Sequence, residues 1–405
     1  MEREEKRSFS LNVINGALFN FAERLIDPQL VLTWFVSQLS SSNFLAGLVA
    51  PIGDAGWYLP QIFVSAYVQR MERKMPSYTY TAAIRLASWL LLALAVLLID
   101  NPTLLLAAFF LLYLLARLVS GIAGIAFFEV TAKTISPQRL GSLFSLRLFL
   151  GGMLGISAGW IVKEILDLPN FPFPKNFALL FGLYCLITAP AMAAFIAIRE
   201  PPGKANPHPV TISEQWRRAR AVLREDKAFF TFILTQIALA LAGASIPFFT
   251  VYAEKVLHAT PGMLGLYLSV RIAAQLVSNL PWGLITDRLG ERLTLTIYSL
   301  GNAITLALAL GLTLWPNPYF MVLIFFLNGA FLPAGAIIGV SYPIKLSPEE
   351  ERPLYIGLYN TIMGIAVFTS GFGGIVVDLG GFEALFALSF LLSLATYFLA
   401  QRLPL

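Results

Sequence analysis

Three charged residues lie close together within one apolar stretch near the start of the chain, namely Glu23, Arg24 and Asp27. On a helix, Glu23 and Asp27 are four residues apart and share a face, and Arg24 and Asp27 are three apart. Charged groups in apolar surroundings are costly, and such carboxylates often carry protons or bind a polar solute. The alternative interpretation is a self-neutralised ion pair whose role is purely structural.

Further polar residues interrupt later apolar stretches. Asp54 lies in the second stretch, Arg117 in the fourth and Arg271 in the eighth, and Asn328 corresponds to Arg117 when the two halves of the chain are aligned. A second alignment, of the charged turn at residues 283–292 with residues 65–74 of the first half, places Asp54 beside the equivalent of Arg271. These two opposite charges either line a central cavity together, or each pairs within its own half. We interpret these residues, with the first cluster, as candidates for a solute and proton pathway.

The residue types needed for metal centres and common enzyme motifs are scarce. The chain has one cysteine, Cys185, and two histidines, His208 and His258, which are far apart. We therefore predict no internal disulfide and no metal site. The patterns G-x-x-x-x-G-K-[ST] and H-E-x-x-H are absent from the sequence. We expect neither an enzyme nor a protein driven directly by ATP.

The elements that position these residues follow from the composition. Of the 405 residues, 57% are hydrophobic and only 13% are charged, against roughly 25% charged residues in soluble proteins. Apolar stretches of about 20 residues, enough for a helix to cross a bilayer, recur along the chain. The sequence predicts an all-α integral membrane protein with twelve transmembrane helices. The predicted spans are residues 11–38, 44–68, 77–99, 103–132, 141–165, 176–198, 228–254, 262–286, 292–314, 318–345, 353–377 and 382–402.

The basic residues are distributed unevenly between the two sides of the membrane. With the N-terminus inside, the outer loops hold only Lys163, Lys175 and Lys255, and the other loop lysines and arginines, Arg147 included, are inside. Because basic loops stay in the cytoplasm, we predict a multi-pass protein of the cell membrane with both termini cytoplasmic. This bias accounts for the net charge of +5, so we predict no nucleic-acid partner.

A long inner segment divides the spans six and six. Ser213 is a candidate N-cap of a short amphipathic helix whose basic face meets anionic lipid and whose Trp216, Val222 and Leu223 dip inward. The sequence predicts an N-terminal six-helix bundle at residues 1–198, a cytoplasmic linker carrying this helix at 199–227, and a C-terminal six-helix bundle at 228–405.

A short charged turn at residues 283–292 joins the eighth and ninth spans and reads G-x-x-x-D-R-x-G-x-R. We expect Gly283 to allow close helix packing and Gly290 to adopt a positive φ. We expect Asp287 to meet a helix N-terminus or a cation. The turn resembles the signature loop of the major facilitator superfamily of transporters, except that Glu291 replaces a basic residue.

The first half repeats this loop weakly, with Ser65, Gln69 and Glu72 in place of the first glycine, the aspartate and the second glycine. The resemblance nevertheless covers essentially the whole chain. It implies two six-helix bundles in parallel pseudo-repeat around a central cavity. It also implies an inner gate in which acid–arginine pairs take part. The residues carried over to this gate are Gly283, Asp287, Arg288, Gly290, Arg292, Arg139 and Glu129.

The segment Arg117-Leu-Val-Ser120-Gly121 is similar to a motif in the fourth helix of the family, R-x-x-Q-G, with Ser120 replacing glutamine. In relatives this motif is associated with proton coupling. An equally open alternative is that Arg117 anchors the helix by binding backbone carbonyls.

The resemblance implies a secondary active transporter that moves a small-molecule substrate by alternating access, without a cofactor and driven by a proton or ion gradient. Charges of both signs in the spans favour a hydrophilic solute and proton coupling, and we expect a monomer in the lipid bilayer. One alternative is an exporter of amphiphilic drugs by proton antiport. Against it, Gly155 is followed by Ile156 where such antiporters carry Gly-Pro. The other alternative is a non-transporting membrane sensor on the same fold.

Overall fold

The computed structural model describes residues 2–69, 71–202, 212–348 and 351–403, and every regular element in these ranges is helical. The predicted all-α class is therefore confirmed. Helices suit a lipid environment because each satisfies its backbone N–H and C=O groups internally. Two predicted features, residues 203–211 of the linker and the side chains of the weak first-half signature at Ser65 and Gln69, lie outside the described residues.

Fourteen α-helices follow one another in the described ranges. Eight helical stretches there are long and apolar enough to cross a membrane, judged by length and composition. Short 3-10 turns occupy Gly243–Ser245 and Pro318–Phe320. The α-helices are α1 (Glu2–Leu25), α2 (Val31–Leu39), α3 (Asn43–Gln69), α4 (Met75–Leu98), α5 (Pro102–Thr134), α6 (Pro137–Leu166), α7 (Lys175–Ile196), α8 (Ile212–Glu225), α9 (Lys227–Ala242), α10 (Ile246–Lys255), α11 (Pro261–Leu314), α12 (Met321–Leu346), α13 (Arg352–Ser370) and α14 (Gly373–Ala400).

Several predicted spans are interrupted or joined. In the first span, α1 ends at Leu25 and α2 begins at Val31, because Pro28 cannot donate the N–H that a continuous helix needs. The eighth and ninth spans together form α11, which breaks at Gly290 with φ 85° and ψ 163°. A similar break at Gly381 in α14 separates the eleventh span from the twelfth. Counted between these breaks, helical segments occupy all twelve predicted spans.

The helices form two compact units, and each unit includes a segment that is distant in sequence from the rest. The domain limits predicted from the sequence, residues 198 and 228, stay a prediction. The first unit consists of Met1–Ser41, Ile52–Pro209 and Thr260–Ser269, and the second of Ser42–Pro51, Val210–Ala259 and Val270–Leu405.

Aromatic side chains fill the core of the first unit. The ring of Trp89 in α4 lies 5.4 Å from Phe181 and 5.0 Å from Tyr184, both in α7, and 6.0 Å from Tyr113 in α5. Tyr113 stacks on Phe109 with 5.4 Å between ring centroids. Because rings pack on several sides of Tyr113 and Tyr184, the hydroxyl groups of these two residues have little freedom to move. Both hydroxyls point toward the polar interior described below.

Helix α8 contributes to the core of the second unit. Ala219 and Val222 are buried in one hydrophobic cluster with Phe229, Phe232 and Tyr355. The described part of the linker therefore contains the predicted short helix, and the apolar residues of that helix turn inward onto protein. The side chains of Ser213 and Trp216 lie outside the described residues.

One arginine that the sequence analysis assigned to an inner loop is buried in the first unit. Arg147 of α6 is 7% exposed, and its Nη1 donates hydrogen bonds to the backbone oxygen of Asn12 at 2.6 Å and to Asn15 Oδ1 at 3.0 Å. Its guanidinium lies 4.6 Å from the centre of the Phe127 ring. The prediction was wrong for this residue because local hydropathy does not reveal amide partners on a distant helix.

Glu200, which follows α7, joins three segments at one end of the first unit. Its carboxylate accepts hydrogen bonds from the backbone N–H groups of Lys74 at 2.8 Å and Met75 at 2.7 Å, where α4 begins. Lys133 Nζ at the end of α5 lies 2.7 Å from Glu200 Oε1. A carboxylate suits a helix N-terminus, where N–H groups lack partners within the helix.

We predict that Glu200→Ala destabilises the protein by about 3 kcal/mol, because it leaves a lysine and two amide groups without their buried partner. The control is Glu164→Ala on α6, an exposed glutamate. The measurement is the thermal unfolding midpoint of the purified protein in detergent. Equal midpoints for the two variants would contradict the role assigned to Glu200.

Candidate functional site

Glu23, near the end of α1, is bound by side chains from three other helices. Its Oε1 accepts hydrogen bonds from Arg85 Nη2 of α4 at 3.1 Å and from the Tyr184 hydroxyl of α7 at 3.0 Å. Its Oε2 accepts one from Arg117 Nη1 of α5 at 3.1 Å. Four helices of the first unit therefore meet at one carboxylate.

Arg85 and Tyr184 form the enclosed side of this cluster. Arg85 Nε and Nη2 donate to the Tyr184 hydroxyl oxygen at 3.0 and 2.6 Å, and the guanidinium lies 4.3 Å from the centre of the Phe19 ring. The Arg85 side chain is only 5% exposed. Tyr184 accepts from Arg85 and donates to Glu23, so it fixes the orientation of both charged groups.

Arg117 forms the accessible side. Its Nε donates to the backbone oxygen of Gly53 in α3 at 2.9 Å. Helix α3 can come this close because a Cβ on Gly56 would lie 2.7 Å from the Arg117 side chain, and one on Gly121 would lie 2.4 Å from the backbone oxygen of Trp57. The Arg117 side chain is 15% exposed and that of Glu23 is 24% exposed. In the described part of the chain, the second terminal nitrogen of Arg117 has no hydrogen-bond partner.

The two other carboxylates of the predicted pathway have different surroundings. Asp54, half-buried in α3, lies within electrostatic range of Arg117 and Asp27. Asp27 lies beyond the end of α1, and its Oδ1 accepts the backbone N–H groups of Gln29 at 2.9 Å and Leu30 at 3.0 Å. The expectation that Asp27 shares a helical face with Glu23 was wrong, because the helix ends before Asp27. Asp27 instead holds the turn that leads into α2.

Arg24 is half-buried on α1 and takes no part in the hydrogen bonds to Glu23. Because it follows Glu23 directly, the helix points these two side chains in different directions. The alternative of an ion pair confined to the first cluster does not describe Glu23, because Glu23 pairs with arginines of α4 and α5.

Arg271 and Asn328 are both buried in the second unit. Helices α11 and α12 approach closely there, since a Cβ on Gly329 would lie 2.2 Å from the backbone oxygen of Arg271. Asn328 lines a cavity of about 30 Å³, and its Oδ1 has no hydrogen-bond partner among the described residues. Such a volume is large enough for a water molecule to satisfy Asn328. The pairing of Asp54 with Arg271 stays a prediction.

The signature turn has one of its two expected glycine properties. Gly290 has φ 85°, as predicted, in a region of backbone conformation that is essentially restricted to glycine. Gly283 does not mediate close packing, since a Cβ built on it would meet no described atom within 4 Å. Asp287 is exposed and has no hydrogen-bond or ion-pair partner in the described ranges, contrary to expectation. Arg288 is exposed as well.

At the predicted gate, one acidic residue has a partner that the sequence did not predict, and the expected acid–arginine pair does not form. Glu291, which replaces a basic residue of the signature, forms an ion pair of 2.8 Å with Lys345 of α12. Glu129 and Arg139 do not pair with each other in the described structure. Arg139 instead lies in the field of Glu5, whose pKa is lowered mainly by hydrogen bonds from Ser136.

The sequence analysis missed two members of the Glu23 cluster, Arg85 and Tyr184. Arg85 gave a signal, as an arginine inside an apolar span, but nothing connected it to α1. Tyr184 gave none, because a tyrosine in an apolar helix is usually a core residue. The Gly53 carbonyl likewise becomes a ligand of Arg117 only through the packing of α3 on α5, which supports the anchoring interpretation of Arg117 alongside its contact with Glu23.

We predict that Tyr184→Phe destabilises the protein by about 1–3 kcal/mol, since it leaves buried charged groups short of hydrogen bonds. The matched control is Tyr113→Phe in the same aromatic core, because the Tyr113 hydroxyl has no hydrogen-bond partner in the described structure. Thermal unfolding midpoints of the two variants give the comparison. The assignment of Tyr184 fails if Tyr113→Phe costs as much stability.

We also predict that Gly290→Ala destabilises the second unit by about 1–3 kcal/mol, because alanine is strained at this positive φ. Gly283→Ala in the same turn is the control. It has helical geometry and open space around its Cα, so it should be neutral or mildly stabilising. The check is thermal unfolding with the yield of monodisperse protein as a second readout. A larger effect at Gly283 would contradict the geometry of the turn.

Comparisons with known proteins agree with this architecture. Residues 231–404 match the family model of the Major Facilitator Superfamily. A D-xylose-proton symporter has the same fold, with TM-score 0.75, 15% identity and coverage of 98% of both chains. A POT family transporter in complex with a thioalcohol conjugated peptide gives TM-score 0.75 at 11% identity, covering 98% of this chain and 95% of its own. A nucleoside transporter gives TM-score 0.73 at 13% identity, covering 98% of both chains.

No curated protein sequence matches the chain. The solved structures are too distant in sequence to assign a substrate, and they establish the fold along nearly the whole chain. The family match adds the sequence evidence for the second half. On these grounds the protein is a multi-pass membrane protein with the fold of these solved transporters, and its second half is similar in sequence to the Major Facilitator Superfamily.

Proposed function

We propose that the protein is a proton-coupled secondary transporter of a small hydrophilic solute that carries an anionic group. The observation that carries this proposal is the partly exposed Glu23–Arg117 pair, supported by Arg85 and Tyr184. A permanent ion pair without function is commonly replaced by apolar residues at little cost. Charges retained within membrane spans usually serve transport.

The first step of the proposed mechanism is solute binding at Arg117. The second terminal nitrogen of this guanidinium is available, and its Nε is fixed by the Gly53 carbonyl. An arginine oriented in this way binds a carboxylate or phosphate group with defined geometry. The solute then competes with Glu23 for Arg117.

The second step is proton exchange at Glu23. Protonation removes the negative charge that neutralises Arg85 and Arg117, so an anionic solute replaces it at lower electrostatic cost. Loss of the proton restores the original pair and favours release of the solute. Solute and proton then travel together while the protein opens alternately to each side, with both termini in the cytoplasm of the cell.

The transporter neighbours support this class without naming the solute. One is a D-xylose-proton symporter and another a nucleoside transporter, so the fold accommodates several kinds of hydrophilic solute.

The solute is therefore to be found by a screen of purified protein with sugars, amino acids, organic anions, nucleosides and amphiphilic cations at pH 5.5 and 8. A ligand at 100 times its Kd stabilises the folded state by about 2.7 kcal/mol, which is visible as a thermal shift. Hits confined to amphiphilic cations would favour the exporter.

We predict that Glu23→Gln abolishes proton-driven accumulation of the solute in proteoliposomes, because glutamine cannot carry the proton. Exchange of labelled for unlabelled solute across the same membrane should persist, since it needs no net proton movement. Glu164→Gln, at an exposed position of α6, is the control and should transport normally. The proposal fails if a folded Glu23→Gln protein still accumulates solute when the proton gradient is applied.

A further inference from the structure

A groove of about 670 Å³ lies at one end of the first unit, between the start of α4 and the end of α7. This is the end of the helices where arginines and lysines are concentrated, which the sequence predicts to be cytoplasmic. The groove plays no part in the Glu23 cluster. Its lining residues are Arg73, Met75, Pro76, Thr79, Tyr80, Ile198, Arg199 and Glu200.

The groove is positively charged. Arg73 is exposed and has no hydrogen-bond or ion-pair partner among the described residues. The Arg199 side chain is 77% exposed, and its contact with Glu4 is long, at 3.6 Å, with both groups in solvent. Such an exposed pair contributes little and is readily exchanged for another anion.

The one carboxylate in the groove does not cancel this charge. Glu200 is buried, and its oxygens are occupied by Lys133 and by the backbone N–H groups of Lys74 and Met75. A ligand entering the groove therefore meets two available guanidinium groups and an acid that is already neutralised. This pattern suits a group of negative charge with several oxygen acceptors.

An apolar strip continues from the groove along the outside of α4. Tyr80 at the groove is 73% exposed, and Ile84, Leu91 and Leu98 follow it with exposed fractions of 43%, 53% and 77%. These positions are four, seven and seven residues apart, so they follow one face of the helix for about 27 Å. Because the hydrocarbon core of a bilayer is about 30 Å thick, the part of the strip from Tyr80 to Leu91, about 17 Å long, has the length and polarity of one acyl chain in one leaflet.

We propose that this groove binds an anionic phospholipid, with its phosphate between Arg73 and Arg199 and one acyl chain along Tyr80, Ile84 and Leu91. Free phosphate shares the headgroup chemistry, but it would leave the strip without a role. The lipid therefore fits both parts of the surface. Tyrosine at the boundary between headgroup and acyl chain is typical of the membrane interface, and basic pockets at the cytoplasmic side are typical of anionic lipid sites.

The test titrates purified, delipidated protein in neutral detergent with phosphatidylglycerol, phosphatidylcholine or inorganic phosphate, and measures bound lipid by native mass spectrometry. The variant is Arg73→Gln combined with Arg199→Gln. The control is Lys227→Gln combined with Arg402→Gln, which removes the same charge from exposed positions of the second unit. Because each basic residue near a lipid surface contributes about 1 kcal/mol, the groove variant should bind phosphatidylglycerol at least about tenfold more weakly.

The expected result is that the control binds phosphatidylglycerol as the natural protein does, and that phosphatidylcholine binds weakly to all three proteins. Inorganic phosphate should not compete at the concentrations at which the lipid saturates. Tyr80→Ala, which keeps both arginines, should also weaken binding of the lipid. Equal losses in the groove and control variants would overturn the proposal, as would phosphate binding as tight as that of the lipid.

Discussion

The architecture of the first unit depends on the need to neutralise charge inside apolar helices. Glu23, Arg85 and Arg117 would each be costly alone in a membrane interior, and each is stabilised by contact with the others. Their contacts join α1, α4 and α5, and Tyr184 adds α7. The helices are therefore held in register by a few directional bonds in addition to the non-directional packing of their apolar faces.

The two arginines of this cluster have different surroundings, since Arg85 is enclosed and Arg117 is partly accessible. On the Arg85 side, Tyr184, Phe19 and the packed aromatic core enclose the guanidinium, so that side is suited to fixing geometry. On the Arg117 side, Glu23 and Arg117 remain partly exposed, so that side is suited to exchange of partners. The same carboxylate thus lies between a fixed partner and an exchangeable one.

The second unit has a different interior. Among its described residues, the buried charged residue is Arg271. The buried polar groups that line the small cavity, such as Asn328, Thr305 and Ser393, are neutral amides and hydroxyls. Its distinctive feature is the turn at Gly290, with the Glu291–Lys345 ion pair beside it. The turn departs from the family signature at Glu291, and this acidic residue has a local partner in Lys345.

The sequence by itself determined the class of the protein, the positions of the helices and the place of the sharp turn. A bilayer forces long apolar stretches into helices, and this rule acts on local composition. Gly290 was predictable because only glycine adopts its backbone conformation without strain. The apolar spans also identified Glu23 and Arg117 as exceptional.

Only the tertiary structure decided which of these charges act together. The partners of Glu23 lie 62, 94 and 161 residues away, so no local pattern could select them. Asp27 became the support of a turn rather than a partner of Glu23, because the helix ended two residues before it. Gly283 and Asp287 kept the spacing of the signature without the contacts expected of it. Spacing fixes which residues share a helix, whereas the neighbours of a side chain depend on how distant helices pack.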